Sequence, residues 1–296
     1  MNGLSINIPV YNTDIRQLVK DLHEQATHLG IPCEIVIADD YSTAETKEVN
    51  KELADLSLVI YHEMEENIGR AKIRNCLCAY AQYDTLLFLD CDVRMVDDQF
   101  LKRYVECANE HDVVFGGYCY KEEQKNDNNL LRWTYDTRLR THDAATRSKS
   151  PYTSFSTVNF LIRKPILAAH PFNEKLSKYG HEDSQLRSEL EVEGIKIHHI
   201  DNPVYHWHLD ENKSFLEKTR KGVENMLIVA ELPECERLAN SMTLLKHYNR
   251  FKKWHLTGIL SVVFRITRKL VEWNLCSTKP ILALYQWYKL GYLCTL

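Results

Sequence analysis

The hydrophobic pattern changes period again and again over residues 1–90, and this restricts the chain to one class of fold. Apolar runs with strand character fall at residues 4–9, 34–38, 58–62 and 85–90. Between them lie segments of helical spacing at 14–29, 44–56 and 70–82, the first closed by Gly30. Strands alternating with helices of this length predict βαβ units, and so an α/β fold with a mostly parallel central sheet flanked by helices. Right-handed crossovers then bring the strand ends at Pro9, Asp39 and Asp90 to one edge. Sheets of this kind bind ligands at the carboxyl ends of their strands. Further on, 157–162 and 195–200 read as strands, and 182–193 as a helix closed by Gly194. A length of 296 residues allows one large domain, or one domain with an appendage.

The fourth run, Leu86-Leu87-Phe88-Leu89, delivers Asp90-Cys91-Asp92. Side chains alternate along an extended strand, so the two carboxylates share a side and Cys91 points away. Two like charges so placed repel unless a cation sits between them. The hard oxygen pair suits Mn2+ or Mg2+, ions that also hold substrate phosphates.

Four other segments fit the same task. Pro9-Val10-Tyr11-Asn12 ends the first strand, and Asp39-Asp40-Tyr41-Ser42 ends the second. Asn67-Ile68-Gly69-Arg70 opens a helix that carries Arg74, and Gly180-His181-Glu182-Asp183 opens a later one. With these motifs in this order, SINIPVYNTD, VIADDYS, ENIGRAKIRN, LLFLDCDV, YGHEDSQLRSEL and NPVYHWHLD, residues 3–225 resemble the inverting GT-A glycosyltransferases of family 2. The family often has a glycine where Tyr41 stands, a departure that bears on the shape of that loop.

The resemblance implies a site. Asp39 is expected to accept from the ring N–H of uracil or thymine, with Tyr11 or the Pro9 turn against the base or ribose and Asn12 in the same loop. Asn67, Gly69, Arg70 and Arg74 are expected at the diphosphate, where a helix start and a cation can meet it. Asp92 is the expected direct metal ligand, and Asp90 the partner of ribose or sugar hydroxyls. Asp183 is expected to be the base that deprotonates the acceptor, and Glu182 to bind hydroxyls; the two roles can be exchanged. A histidine completes the metal site, and His206 after Pro203-Val204-Tyr205 matches the family better than His208. The donor would be a nucleotide-diphospho-sugar, most commonly a UDP-sugar. The acceptor would be a hydroxyl of a glycan or lipid-linked oligosaccharide in surface-polysaccharide synthesis.

Charge divides the chain. From Lys246 onward there are nine lysines and arginines and one acid, Glu272, so this stretch carries +8 in a chain of net charge −4. It also carries Trp254, Trp273 and Trp287, with apolar residues at helical spacing. We therefore expect a catalytic domain over 1–225 and a basic, aromatic helical extension over 226–296. The extension reads either as a peripheral contact with an anionic membrane or as a helical cap on the catalytic domain. Residues 119–155 read either as a mobile acceptor-side segment or as a surface helix with flanking loops. Nine scattered cysteines without a CxxC pair argue for reduced thiols. No secretory signal pattern opens the sequence, so the expected location is the cytoplasm, at the inner face of the plasma membrane. No nucleic-acid motif is present in the largely acidic remainder. Two other functions compete. One is a non-catalytic nucleotide-sugar-binding scaffold, which would not need Asp183. The other is an aspartyl phosphohydrolase, because LFLDCDV resembles the DxDx start of the haloacid dehalogenase superfamily. That motif, however, normally follows the first strand of its domain.

Overall fold

The structure is a computed structural model that describes residues 1–176 and 180–296. Strands β1 (Leu4–Val10), β2 (Cys33–Asp39), β3 (Val59–Glu63) and β4 (Thr85–Leu89) alternate with helices α1 (Arg16–Thr27), α2 (Ala44–Asn50) and α3 (Gly69–Tyr80), as the pattern predicts. All seven residues of β2 are buried, which is why Ile35-Val36-Ile37-Ala38 reads as an unbroken apolar run and not as an alternation. The helix expected over 44–56 is shorter: α2 stops at Asn50, and a 3-10 turn, Lys51–Asp55, follows. Asn50 is buried and serves the preceding loop. Its Oδ1 accepts from the Ile15 N–H at 3.1 Å, and its Nδ2 donates to the Thr13 carbonyl at 2.9 Å.

The chain continues through β5 (Val93–Met95), α4 (Phe100–Ala108), β6 (Val113–Phe115), β7 (Tyr118–Cys119), α5 (Leu130–Leu139) and α6 (Ala144–Arg147). Next come β8 (Asn159–Arg163), α7 (Lys164–Ala169), α8 (Glu182–Val192), β9 (His198–His199) and β10 (Val204–His206). Among the described residues, the main sheet has seven strands in the order β3-β2-β1-β4-β8-β6-β9. Only β8 runs against its neighbours. In-register pairing of Val10 with Asp39 sets the carboxyl ends of β1 and β2 side by side. A second, three-stranded sheet, β5-β10-β7, pairs His206 with Val93. The strand expected over 195–200 is only β9; after it, the carbonyls of Ile200 and Asn202 join a buried polar network.

That network fixes the approach to β10. Asn159 donates through Nδ2 to the carbonyls of Gly117 (2.8 Å) and Asn202 (2.9 Å), and its Oδ1 accepts from the Tyr104 hydroxyl at 2.7 Å. A Cβ at Gly116 would lie 2.5 Å from the Asn202 carbonyl oxygen, so only glycine allows this closeness. Buried Arg147 donates to the carbonyls of Gly116 (3.1 Å) and Ile200 (2.6 Å), and to Nδ1 of His199 at 3.3 Å. His199 Nε2 faces the Pro151 carbonyl at 3.0 Å. These partners set the tautomer: Nε2 carries the proton and Nδ1 accepts, so charging the ring means placing a proton against a guanidinium. Burial, followed by Arg147, lowers the His199 pKa to about 4. Between that value and the ordinary 6.5, the unfolded chain binds the extra proton and the folded chain does not. Stability therefore falls as pH drops through this window. For this one group the loss is about 3 kcal/mol. Urea melts across the window should show a smaller loss for His199→Gln than for the natural protein; equal losses would refute the assignment.

Two compact units result. One comprises Met1–Tyr120, Thr141–Ser177 and Leu186–His208, and contains both sheets. The other comprises Lys121–Arg140, Lys178–Gln185 and Leu209–Leu296. It holds α5, α9 (Asn212–Glu231), α10 (Glu236–Ser241), α11 (Thr243–Lys253), α12 (Thr257–Leu275) and α13 (Leu282–Leu293). The boundary expected between 225 and 226 falls inside α9. The segment 119–155 contributes α5, and its Leu131 joins Phe215, Phe264, Tyr285 and Tyr288 in the core of the second unit. Tyr135 packs on that core, and the ring of buried Phe215 lies 5.5 Å from that of Tyr285. Of the two readings for that segment, the helix with flanking loops is the one found, and α5 packs one face into this core.

Candidate active site

The loops after β1 and β2 are stitched together. The Asn12 N–H donates to Ser42 Oγ at 2.8 Å, and Asn12 Oδ1 accepts from the Thr43 N–H at 2.8 Å. Asn12 (φ 49°) and Tyr41 (φ 64°) both adopt left-handed backbone. Tyr41 thus keeps the conformation a glycine would favour, at the usual cost of about 1 kcal/mol. Tyr11 and Tyr41 are exposed on these joined loops, two aromatic rings at the sheet edge. Pro9 is half-buried in β1.

Asp39 is fully buried. Its Oδ1 accepts from the Ser42 N–H at 2.7 Å and its Oδ2 from the Tyr61 hydroxyl at 3.0 Å. Burial, followed by the Asp39 charge, raises the Tyr61 pKa, so the phenol stays protonated and donates. A base edge would therefore reach Asp39 by replacing the Tyr61 hydroxyl. The sequence gives no hint of this contact, because Tyr61 is one residue of a neighbouring edge strand.

Asp40 takes a role that sequence reasoning missed. Its oxygens accept from the N–H groups of Ile68 (2.6 Å) and Gly69 (3.0 Å), and the Asn67 side chain donates to the Asp40 carbonyl at 3.0 Å. Burial raises its pKa, while the two backbone bonds pull the other way. The start of α3, expected to meet a diphosphate, is thus closed by a carboxylate. Asn67 and Gly69 here bind Asp40, because a buried acid needs donors and the first turn of a helix supplies them.

Arg74 is likewise not a free phosphate contact. Its buried guanidinium donates to Asp90 Oδ1 at 2.5 Å and to the Arg70 carbonyl at 3.0 Å. Arg70, more exposed, lies 3.7 Å from Asp90 Oδ2. Asp90 is therefore anchored between two cations, and Arg70 is the one at the surface.

Asp92 and His206 are brought together by the small sheet. His206 ends β10 opposite Val93, and the next residue, Trp207, donates its N–H to the Asp92 carbonyl at 2.7 Å. Asp92 Oδ2 and His206 Nε2 stand 3.7 Å apart, beyond hydrogen-bond range. Two donors at that separation can share one ion with bonds of about 2.1 Å, and an oxygen–nitrogen pair suits Mn2+. Among the described residues, no three His, Cys, Asp or Glu side chains form a ready metal cage. Between the two acids, Cys91 Sγ turns to Thr13 Oγ1 at 3.5 Å, and burial pushes its thiol up to about 11. His208 lies beyond β10 and is exposed. It lines an open cleft of about 710 Å3 with Asn12, Arg16, Arg94 and Trp207, the Arg94 guanidinium lying 5.7 Å from the Trp207 ring centre.

Glu182 and Asp183 form the first turn of α8. Both belong to the second compact unit. Gly180 and His181 before them have positive φ, and both bind α9: the Gly180 carbonyl accepts from the Asn225 amide, and His181 Nε2 faces the Gly222 carbonyl at 3.0 Å. Glu182 is buried, whereas Asp183 is half-exposed, with Ser184 Oγ donating to it at 3.2 Å. Of the two, Asp183 is the more exposed carboxylate. Tyr179 of the YGHEDSQLRSEL motif lies outside the described residues. The LFLDCDV segment is the fourth strand in the chain, inside the main sheet, and not the first strand that the phosphohydrolase reading needs.

A family model described as glycosyl transferase family 2 matches residues 5–170. Among solved structures, the chain is similar to S. aureus TarS 1–349 in complex with UDP, at 19% identity over 92% of this chain and 79% of that one, with a TM-score of 0.53. It is similar to the mannosyltransferase PcManGT from Pyrobaculum calidifontis in complex with GDP-Man and Mn2+, at 14% identity over 99% and 85%, with a TM-score of 0.56. It is also similar to glucosyl-3-phosphoglycerate synthase from Mycobacterium tuberculosis with Mn2+, UDP and glucosyl-3-phosphoglycerate, at 16% identity over 79% and 80%, with a TM-score of 0.51. No curated protein matches the chain.

Proposed function

This chain belongs to glycosyl transferase family 2, and from that premise we propose an inverting transfer of a hexosyl or N-acetylhexosaminyl unit from a UDP-sugar to a glycan or lipid-linked acceptor. The fold is that of the GT-A nucleotide-sugar transferases. The observation that supports the reading is the Asp92–His206 pair, 3.7 Å apart, with Asp92 just past the carboxyl end of β4. Structural neighbours with UDP, UDP-GlcNAc or GDP-Man bound support a nucleotide-sugar donor, and those with Mn2+ support a divalent ion.

In this reading Tyr11 and Tyr41 flank the base, and Asp39 accepts its ring N–H in place of the Tyr61 hydroxyl. Arg70 faces the diphosphate, and Asp90, held by Arg74, accepts from ribose or sugar hydroxyls. Asp92 and His206 would hold Mn2+ or Mg2+; the bound ion neutralises charge developing on the leaving diphosphate. Asp183 takes the proton of the acceptor hydroxyl. The acceptor oxygen then bonds to the anomeric carbon from the face opposite the diphosphate. The bond from that carbon to the phosphate oxygen breaks, its electron pair leaves with UDP, and the configuration inverts. Residues 1–225 carry this chemistry. The extension over 226–296 would keep the protein at a membrane where surface-polysaccharide precursors lie, and α5 sits in the segment assigned to the acceptor side.

Thermal melts with UDP, dTDP, GDP, ADP and CDP, each with Mn2+ or Mg2+, test the donor half. A rise confined to uracil or thymine nucleotides with metal is expected. A rise shared equally by all five would remove Asp39 as the base reader. Release of UDP from radiolabelled UDP-sugars tests turnover; binding without release would favour the scaffold reading.

A further inference from the structure

Helix α12 has two apolar faces, and among the described residues one is packed and the other is exposed. Ser261, Phe264, Val271 and Leu275 are buried. Phe264 packs so tightly on α13 that a Cβ on Gly291 would lie 2.4 Å from its ring. The opposite face presents Ile259, Val262, Val263, Ile266, Leu270 and Trp273 to solvent, with Ile266 77%, Trp273 71% and Leu270 68% exposed. At 3.6 residues per turn these six fall within an arc of about 100°. A surface helix ordinarily reserves that arc for polar side chains.

The charge around this face identifies what covers it. Exposed Arg265 and Lys269, one turn apart, border the apolar arc, and exposed Lys252, Lys253 and Trp254 precede the helix. The one acid of the stretch, Glu272, is already engaged by Arg268 Nε at 2.9 Å and by the Tyr288 hydroxyl at 3.0 Å, so it does not offset these cations. Among the described residues, no helix is long and apolar enough to cross a membrane. An apolar stripe with a tryptophan at its margin and a cationic border suits the interface of an anionic bilayer. The spacing 259, 263, 266, 270, 273 would also suit a coiled-coil seam, but Arg265 and Lys269 flank the arc on one side, so an antiparallel pairing of two copies would bring like charges together and a parallel one would leave both cations without an acidic partner on the facing helix.

We propose that α12 is a membrane-surface docking element that lies in the plane of an anionic lipid bilayer, burying Ile259, Ile266, Leu270 and Trp273 below the headgroups and setting Arg265 and Lys269 among them. Its purpose rests on the lipid-linked acceptor proposed above; the docking itself does not. The full chain is floated with vesicles of phosphatidylcholine alone or mixed with phosphatidylglycerol. The natural protein rises with the mixed vesicles, and salt reverses this. Removing two interfacial cations in R265Q/K269Q weakens partitioning about 30-fold, and I266E/L270E stays at the bottom at any salt. Both variants replace exposed side chains, so their circular dichroism and their UDP release from a soluble donor match those of the natural protein. Flotation without turnover leaves docking standing and removes only the transferase reading. Docking is overturned if the natural protein ignores the mixed vesicles, or if both variants float as it does. It is also overturned if the chain is a dimer that I266E/L270E converts to monomer with no change in lipid binding.

Discussion

Asp92→Ala should lower kcat/KM by about three orders of magnitude, because electrostatic stabilisation by a metal ion is worth several kcal/mol in the transition state. The substitution removes one of the two donors that stand 3.7 Å apart and leaves the sheets intact, since Asp92 follows β4 and precedes β5. The diagnostic result is a change in coupling. In the natural protein, Mn2+ should tighten UDP binding; in the variant, UDP should bind equally weakly with and without the ion. Titration calorimetry with and without chelator reads this directly. Unchanged metal coupling in Asp92→Ala would sink the assignment of the ligand pair, whatever happened to turnover.

Asp183→Asn should cut turnover by about 10²–10⁴-fold, the usual contribution of a positioned general base. Asparagine keeps the size and the hydrogen bond from Ser184 but cannot take the acceptor proton. UDP affinity with Mn2+ should match that of the natural protein, which separates this result from the loss at Asp92. Buried Glu182 is expected to behave differently: Glu182→Gln should act mainly on stability. If Asp183→Asn kept full turnover and Glu182→Gln lost it, the two roles would be exchanged.

Local pattern carried much of the fold and less of the site. Strands β1 to β4 alternate with helices over residues 1–90, and their apolar runs announce them within a residue or two. That Asp92 and His206 belong together was also expected from the sequence, and the fold sets them 3.7 Å apart. The second sheet was not, because strands of two or three residues such as β7 and β10 are too short to show a period. Contacts between distant segments left no trace either. Asp40 and Gly69, or Tyr61 and Asp39, look independent until the sheet sets them side by side. The same holds for Arg74, expected with Arg70 at the diphosphate, while the fold buries it against Asp90. In α5, polar neighbours concealed the apolar face that packs on Phe215 and Tyr285.

The ladder that pairs Val93 with His206 makes this centre sensitive to chain length in a way that point substitutions would not reveal. Adding or deleting a single residue on either short strand would rotate the imidazole to the far side of the ribbon. The seven-stranded sheet, whose pairings lie elsewhere, would be untouched. Length variants in these few positions should therefore yield well-folded proteins that lack the proposed Asp92–His206 ion site. In drifting gene copies, such indels would be a quick route from an enzyme to an inert binding relative.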